Sequence, residues 1–187
     1  MTGPLVKALE DFLQILNGHR LDYVLMGGIA VRAYGVPRPT YDIDFTVAID
    51  RDRLPDFYRT LEQAGYTVPE QYLGGWIDQV AGMPLVKFRL YLDGEGIDVD
   101  VFLAESSYQK ELLRRRCQAD VDGLVVWLVT PEDLVLLKLM ANRPRDLVDV
   151  ADIRFMSGDL DEQYMRHWAG ELGIADRLEK LLSEPPL

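Results

Sequence analysis

The chain has 187 residues, 48% apolar and 27% charged, enough for one full core or a core with a small helical appendage. Its net charge of −11 argues against general, sequence-independent coating of nucleic acid, which depends on Lys and Arg neutralising phosphates. A lone cysteine, Cys117, excludes an internal disulfide and a cysteine-cluster zinc site, and no apolar run reaches bilayer length.

The first residues carry early acids and no cleavable apolar segment, so a cytoplasmic location is expected. Residues 4–17 place Leu5, Leu9, Phe12, Leu13 and Leu16 at helical spacing, and Asn17-Gly18 is expected to end that helix through a left-handed glycine. Residues 23–26 read as a short buried strand running into Gly27-Gly28, and 29–34 as a short helix opened by those glycines. Pro37 and Pro39 make the next segment irregular. Residues 42–49 read as a second strand beside the first, and 53–64 as an amphipathic helix ended by Gly65.

Residues 67–82 carry no clear pattern. Residues 86–92 and 97–103 form two strands around an Asp93-Gly94-Glu95-Gly96 turn, followed by a helix over 108–116 and a β-rich run over 124–129. Thr130-Pro131-Glu132-Asp133 is a helix start, with a capping threonine, proline in the first turn and acids at the positive dipole end. Helices alone follow, near 131–142, 145–156, 160–171 and 174–183. The fold class expected is α+β: a mixed sheet flanked by helices over residues 1–129, with a helical subdomain over 130–187 packed on it.

Three features bear on chemistry. Gly27-Gly28 at a strand-to-helix junction lets backbone N–H groups approach an anion at a helix N-terminus, although such a pair also serves as a plain tight turn. In Asp42-Ile43-Asp44 the carboxylates share one strand face, roughly 7 Å apart, while Ile43 and Phe45 share the other. Ile97-Asp98-Val99-Asp100-Val101-Phe102 repeats the pattern. If the two strands are neighbours, three or four carboxylates crowd one end of a sheet, a repulsion that a divalent cation relieves. Two such ions can bracket an in-line displacement at phosphorus.

The stretch Gly27-Gly28-Ile29-Ala30, Tyr34-Gly35, Arg38, Thr40 and Asp42-Ile43-Asp44-Phe45 resembles the signature of polymerase-β-type nucleotidyltransferases. More narrowly, residues 22–155 resemble the small bacterial AbiEii-like enzymes, many of them toxins of toxin–antitoxin pairs. The resemblance continues through Val99-Asp100-Val101-Phe102, the helix 131–138 with its Lys138, and Arg143-Pro144-Arg145-Asp146-Leu147-Val148-Asp149. Many relatives have Ser where this chain has Gly28, so phosphate binding here falls to backbone amides and other side chains. The resemblance implies transfer of a nucleoside monophosphate from an NTP to a hydroxyl on tRNA or a protein, with Mg²⁺, or Mn²⁺ in its place, and a cognate antitoxin as partner. Asp42 and Asp44 would bind metal, and Asp100 would complete the site, with Asp98 as competitor for that role. The alternatives are a small-molecule (antibiotic) adenylyltransferase and a non-catalytic binding module of the same fold.

Lys138 stands alone among apolar residues between Leu134 and Ala141, so the helix is buried and the lysine needs an anion: a triphosphate, or Asp146 or Asp149. Arg38 and Thr40, just before the aspartate strand, are placed to meet phosphates or to serve as loop residues. Arg114-Arg115-Arg116 reads either as a basic patch or as the solvated end of a helix. His19 and His167 read as surface or capping residues. Trp127 and Trp168 read as half-buried aromatics, while Trp76 is also a candidate platform for a base.

Overall fold

The computed structural model describes Met1 and residues 3–73, 76–77 and 82–184. Helix α1 (Gly3–Gly18) leads into β1 (Tyr23–Met26), α2 (Gly27–Tyr34), β2 (Asp42–Val47) and α3 (Leu54–Gln63). Then come β3 (Trp76–Ile77), β4 (Pro84–Leu92), β5 (Glu95–Leu103), α4 (Ser107–Arg115), β6 (Cys117–Val121) and β7 (Leu124–Leu128). The chain continues as α5 (Pro131–Ala141), α6 (Pro144–Ser157), α7 (Glu162–Glu171) and α8 (Ala175–Ser183). The class is α+β, as the sequence implied.

The seven strands form one mixed sheet in the order β3-β4-β5-β2-β1-β7-β6. The β2–β5 and β1–β7 pairs are parallel and the others antiparallel. Alternation fixes which way each strand faces. Ile43 and Phe45 of β2 are buried, and Phe45 stacks on Phe12 of α1 with ring centroids 5.4 Å apart. Phe57, Tyr66 and Phe88 pack edge-on or tilted around the Phe12 ring. Because this aromatic cluster holds one face of β2, the other face must present Asp42 and Asp44.

Three local expectations change. Helix α1 ends through a positive φ at Arg20, not Gly18; Leu21 N–H bonds back to Leu16 C=O across that turn. Strand β6 escaped the sequence reading because Gln118 and Asp120 interrupt its apolar pattern on an exposed sheet edge. Its signal was the Asp122-Gly123 pair, both at positive φ, the same two-residue hairpin turn that Asp93-Gly94 makes between β4 and β5. The region read as patternless holds a 3₁₀ turn at Glu70–Tyr72 and the β3 pairing, and the Trp76 side chain lies outside the described residues.

Helix α5 is buried on almost every side. Thr130 caps it by accepting the Asp133 N–H at 3.3 Å, and Asn142 closes it at a left-handed φ of 50°. It touches α2, α6, α7 and α8, which places Lys138 in the interior beside the α2 end of the sheet.

Candidate active site

The parallel pairing of β2 with β5 sets Asp42 opposite Asp98 and Asp44 opposite Asp100, so four acids sit at one end of two adjacent strands. Three of them, Asp42, Asp44 and Asp100, line a cleft whose other wall is Gly27 and Gly28 of α2, Lys138 of α5, and Arg38, Arg143 and Arg145. Met26, Met83, Leu85, Phe102, Leu134 and Leu137 supply its apolar lining. Asp98 is not among the lining residues. It faces Arg89 of β4 instead, with two contacts at 2.5 and 2.7 Å, and this pair holds its carboxyl below the usual carboxylate range.

The two strands treat their acids differently. Burial, followed by the charges of Asp42 and Asp100, pushes the Asp44 carboxyl up to about 7. Burial also raises Asp100, against the opposing pull of Lys87, whose ammonium lies 2.5 Å from Oδ1. Among the described residues neither Asp42 nor Asp44 has an ion-pair partner within 4.0 Å. Asp42 receives a hydrogen bond from the Thr40 hydroxyl at 2.8 Å, so Thr40 acts here on a carboxylate rather than standing free for a phosphate.

The glycines have a steric reason. Gly27 has φ +68°, and a Cβ there would come within 1.9 Å of Asp44 Oδ2. A Cβ on Gly28 would lie 2.4 Å from the Thr40 hydroxyl. The absence of a serine at position 28 is therefore matched by Thr40, whose hydroxyl occupies the space where that side chain would begin. Both glycines bring the start of α2 against the acids with no side chain between.

On the opposite wall the charges are interlocked. Asp149 accepts from Arg38 Nε at 2.7 Å and Nη2 at 2.8 Å, and from Lys138 Nζ at 2.7 Å. Lys138 also donates to Asp146 at 3.0 Å, and Asp146 accepts from Arg143 Nε at 2.6 Å. Asp146 and Asp149 are both held below the usual carboxylate range; burial opposes that, and the neighbouring cations outweigh it. Of the partners weighed for Lys138, Asp146 and Asp149 are both bound to it, and the lysine also lines the cleft. Arg145 lines the cleft with no ion-pair partner among the described residues.

Sequence reasoning missed Lys87 and gave Arg143 and Arg145 no role of their own. The signal for Lys87 was available, since Lys87 and Arg89 alternate on β4 as Asp98 and Asp100 do on β5. Arg114, Arg115 and Arg116 do not form a free basic patch. Arg114 pairs with Glu111, Arg115 with Glu132 and Asp133 beneath the Tyr164 ring, and Arg116 with Asp22 over Trp127. His19 bonds Thr60 and packs on Phe57, and His167 lies against Trp168, both away from the cleft.

A mixed sheet with an acid-lined end, a glycine-started helix beside it and a cationic wall opposite defines the nucleotidyltransferase class of fold. The chain matches the family described as "Nucleotidyltransferase of unknown function (DUF6036)" over residues 4–179, and it belongs to that family. It is a transferase of phosphorus-containing groups.

Solved structures share the fold at low identity. The solution structure of the antibiotic-resistance factor ANT(2″)-Ia aligns at 15% identity over 96% of this chain and 98% of its own, with a TM-score of 0.60. An antigenic nucleotidyltransferase-like protein from Paracoccidioides brasiliensis aligns at 21% identity over 80% and 73%, with a TM-score of 0.56. The lincosamide antibiotic adenylyltransferase LnuA, lincomycin-bound, aligns at 14% identity over 80% and 96%, with a TM-score of 0.55. No curated protein matches the chain. Among the described residues no helix is long and apolar enough to cross a membrane.

Proposed function

We propose that this protein transfers a nucleoside monophosphate from an NTP to a hydroxyl-bearing acceptor and releases pyrophosphate. The observation that carries the reading is the opposition of two walls in one cleft: Asp42, Asp44 and Asp100 on the sheet, and Arg38, Lys138, Arg143 and Arg145 beside the start of α2. A triphosphate suits the second wall, where cations and the Gly27 and Gly28 amides meet its oxygens. Asp100 accepts the proton of the attacking hydroxyl, whose oxygen forms the new bond to the α-phosphorus. The bond from that phosphorus to the bridging oxygen of pyrophosphate breaks, and the cationic wall stabilises the leaving charge.

The donor set also fits a divalent ion. Carboxylate oxygens suit Mg²⁺ or Mn²⁺, and Asp42 and Asp44 have no ion-pair partner to displace among the described residues. Among the described residues no three ligating side chains converge into a preformed cage. Substrate phosphates would therefore have to complete the ligand set beside the carboxylates. Asp42, Asp44 and Asp100 would hold the ion, which when bound offsets the charge that builds on the phosphoryl oxygens.

For the acceptor, the sequence resemblance to AbiEii-like enzymes supports tRNA or a protein, within a toxin–antitoxin pair. A small-molecule hydroxyl is the second reading, and a specific observation favours it: the only arginine run, Arg114-Arg115-Arg116, is already paired with acids and rings, leaving no continuous basic surface there for RNA. The fold shared with ANT(2″)-Ia and LnuA accords with that reading. The test incubates the protein and an Asp44→Ala variant with Mg²⁺, each α-labelled NTP, and in turn total RNA, cell lysate and a panel of polyhydroxylated small molecules. Label in one acceptor fraction that vanishes with the variant supports the reading and identifies the acceptor class. Transfer that persists in the Asp44→Ala protein removes the site from the reaction.

A further inference from the structure

At the acidic end of the sheet, two cations on β4 face two acids on β5. Arg89 is opposite Asp98 and binds it through two contacts, and Lys87 is opposite Asp100. The Lys87 ammonium lies 2.5 Å from Asp100 Oδ1 and 3.9 Å from Asp98 Oδ2. The approach to Asp100 is close but lacks hydrogen-bond geometry, and that buried oxygen has no other polar partner. Lys87 is therefore the single positive charge among the described residues within ion-pair distance of the three cleft carboxylates.

A divalent ion at Asp100 and an ammonium at Asp100 repel each other. Lysine carries its charge on a flexible four-carbon stem, so the ammonium can leave where an arginine fork gripping both oxygens would be harder to dislodge. It needs a destination, and the phosphates of a bound nucleotide provide one. We propose that Lys87 is a positioning residue that couples cation binding at Asp100 to nucleotide binding: its ammonium occupies the third carboxylate in the free protein and yields it when phosphates enter the cleft. The consequence is a site with weak affinity for divalent ions until the phosphates of a nucleotide are present. This inference rests on the metal-assisted reading above.

Mn²⁺ binding followed by electron paramagnetic resonance tests it, on the full chain, with and without a non-hydrolysable NTP analogue. Without nucleotide, Lys87→Met binds Mn²⁺ tighter than the parent by on the order of tenfold, because a like charge next to the ion is gone. Lys87→Gln shows the same gain and serves if the methionine variant does not fold. Lys87→Arg keeps the parent's weak binding. In an Asp100→Asn background the same Lys87 substitutions bring no gain, because the carboxylate that the ammonium covers is gone. With the analogue bound, the parent and Lys87→Met converge. Unchanged or weaker Mn²⁺ binding in both neutral variants overturns the inference. If the parent binds Mn²⁺ through Asp44 and the Lys87 variants make no difference, the inference fails while the metal site stands. If no protein in the series binds Mn²⁺ with or without nucleotide, both fail together.

Discussion

The sheet wall and the helical wall of the cleft hold similar numbers of charges in opposite conditions. On the helical wall, Asp146 and Asp149 are buried but each is held by two cations, and their carboxyls stay ionised. On the sheet wall, Asp42 and Asp44 have no ion-pair partner among the described residues, and Asp44 is pushed up to about 7 by burial and by its acidic neighbours. A buried charge that is fully paired orders the protein around it, whereas acids gathered without a partner cost stability that folding alone does not recover. The first wall is a scaffold that aims cations; the second sets acids side by side, two of them with no ion-pair partner among the described residues.

The sharpest way to break this contrast is at Asp44. Asp44→Asn should lower nucleotidyl transfer roughly a thousandfold, the scale of several kcal/mol of transition-state stabilisation. An effect below tenfold in a transfer assay would mean that the unpaired acids do not serve the reaction. On the helical wall, Asp149→Ala should cost about 3–5 kcal/mol in urea unfolding, because it strips a partner from both Arg38 and Lys138. Arg145→Ala, on the same wall but unpaired, should stay within about 0.5 kcal/mol of the parent and still weaken NTP binding. Equal stabilities for these two variants would erase the distinction between paired and free cations.

The pH dependence sharpens the comparison. Asp44 has a raised carboxyl in the folded protein, from 3.8 to about 7, so the folded state holds its proton more tightly than the unfolded chain. Its contribution favours folding fully below pH 4 and is lost as pH rises toward 7. The metal-free protein should therefore melt lower at pH 8 than at pH 5, and Asp44→Asn should raise stability at pH 8 by about 1–2 kcal/mol. Added Mg²⁺ should recover part of the parent's loss at pH 8. The two acids of the helical wall have the opposite sign: held low, they support folding above the unfolded value and give that up in acid. The smallest effect is reserved for Asp98→Asn. Its partly exposed pair with Arg89 should contribute about 0–1 kcal/mol, and transfer should change by less than about fivefold. A loss as large as that of Asp100→Asn would return Asp98 to the site.

Much of the acidic wall was visible in the chain because it obeys short-range rules. Two Asp-x-Asp stretches with apolar residues between them state, through the period of a strand, which residues share a face. Gly27-Gly28 at a strand end, and Thr130-Pro131 at a helix start, are likewise local signals. Strand β6 shows the limit of that approach, since its polar alternation on an exposed edge resembles a loop until its partner β7 is seen.

By itself, then, the sequence determined the α+β class, most element positions and Asp42 and Asp44, with either Asp98 or Asp100, as candidates for the center of chemistry. Periodicity and turn chemistry act over a few residues and are written in order along the chain. Tertiary structure alone decided which charges meet. Arg38 reaches Asp149 across 111 residues, Lys87 meets Asp100 through strand register, and Arg89 withdraws Asp98 from the cleft. Coulombic partners are chosen by distance in space, so the division between an interlocked cationic wall and an acidic one, where Lys87 pairs Asp100 alone of the three cleft acids among the described residues, exists only once the sheet and α6 have been brought together.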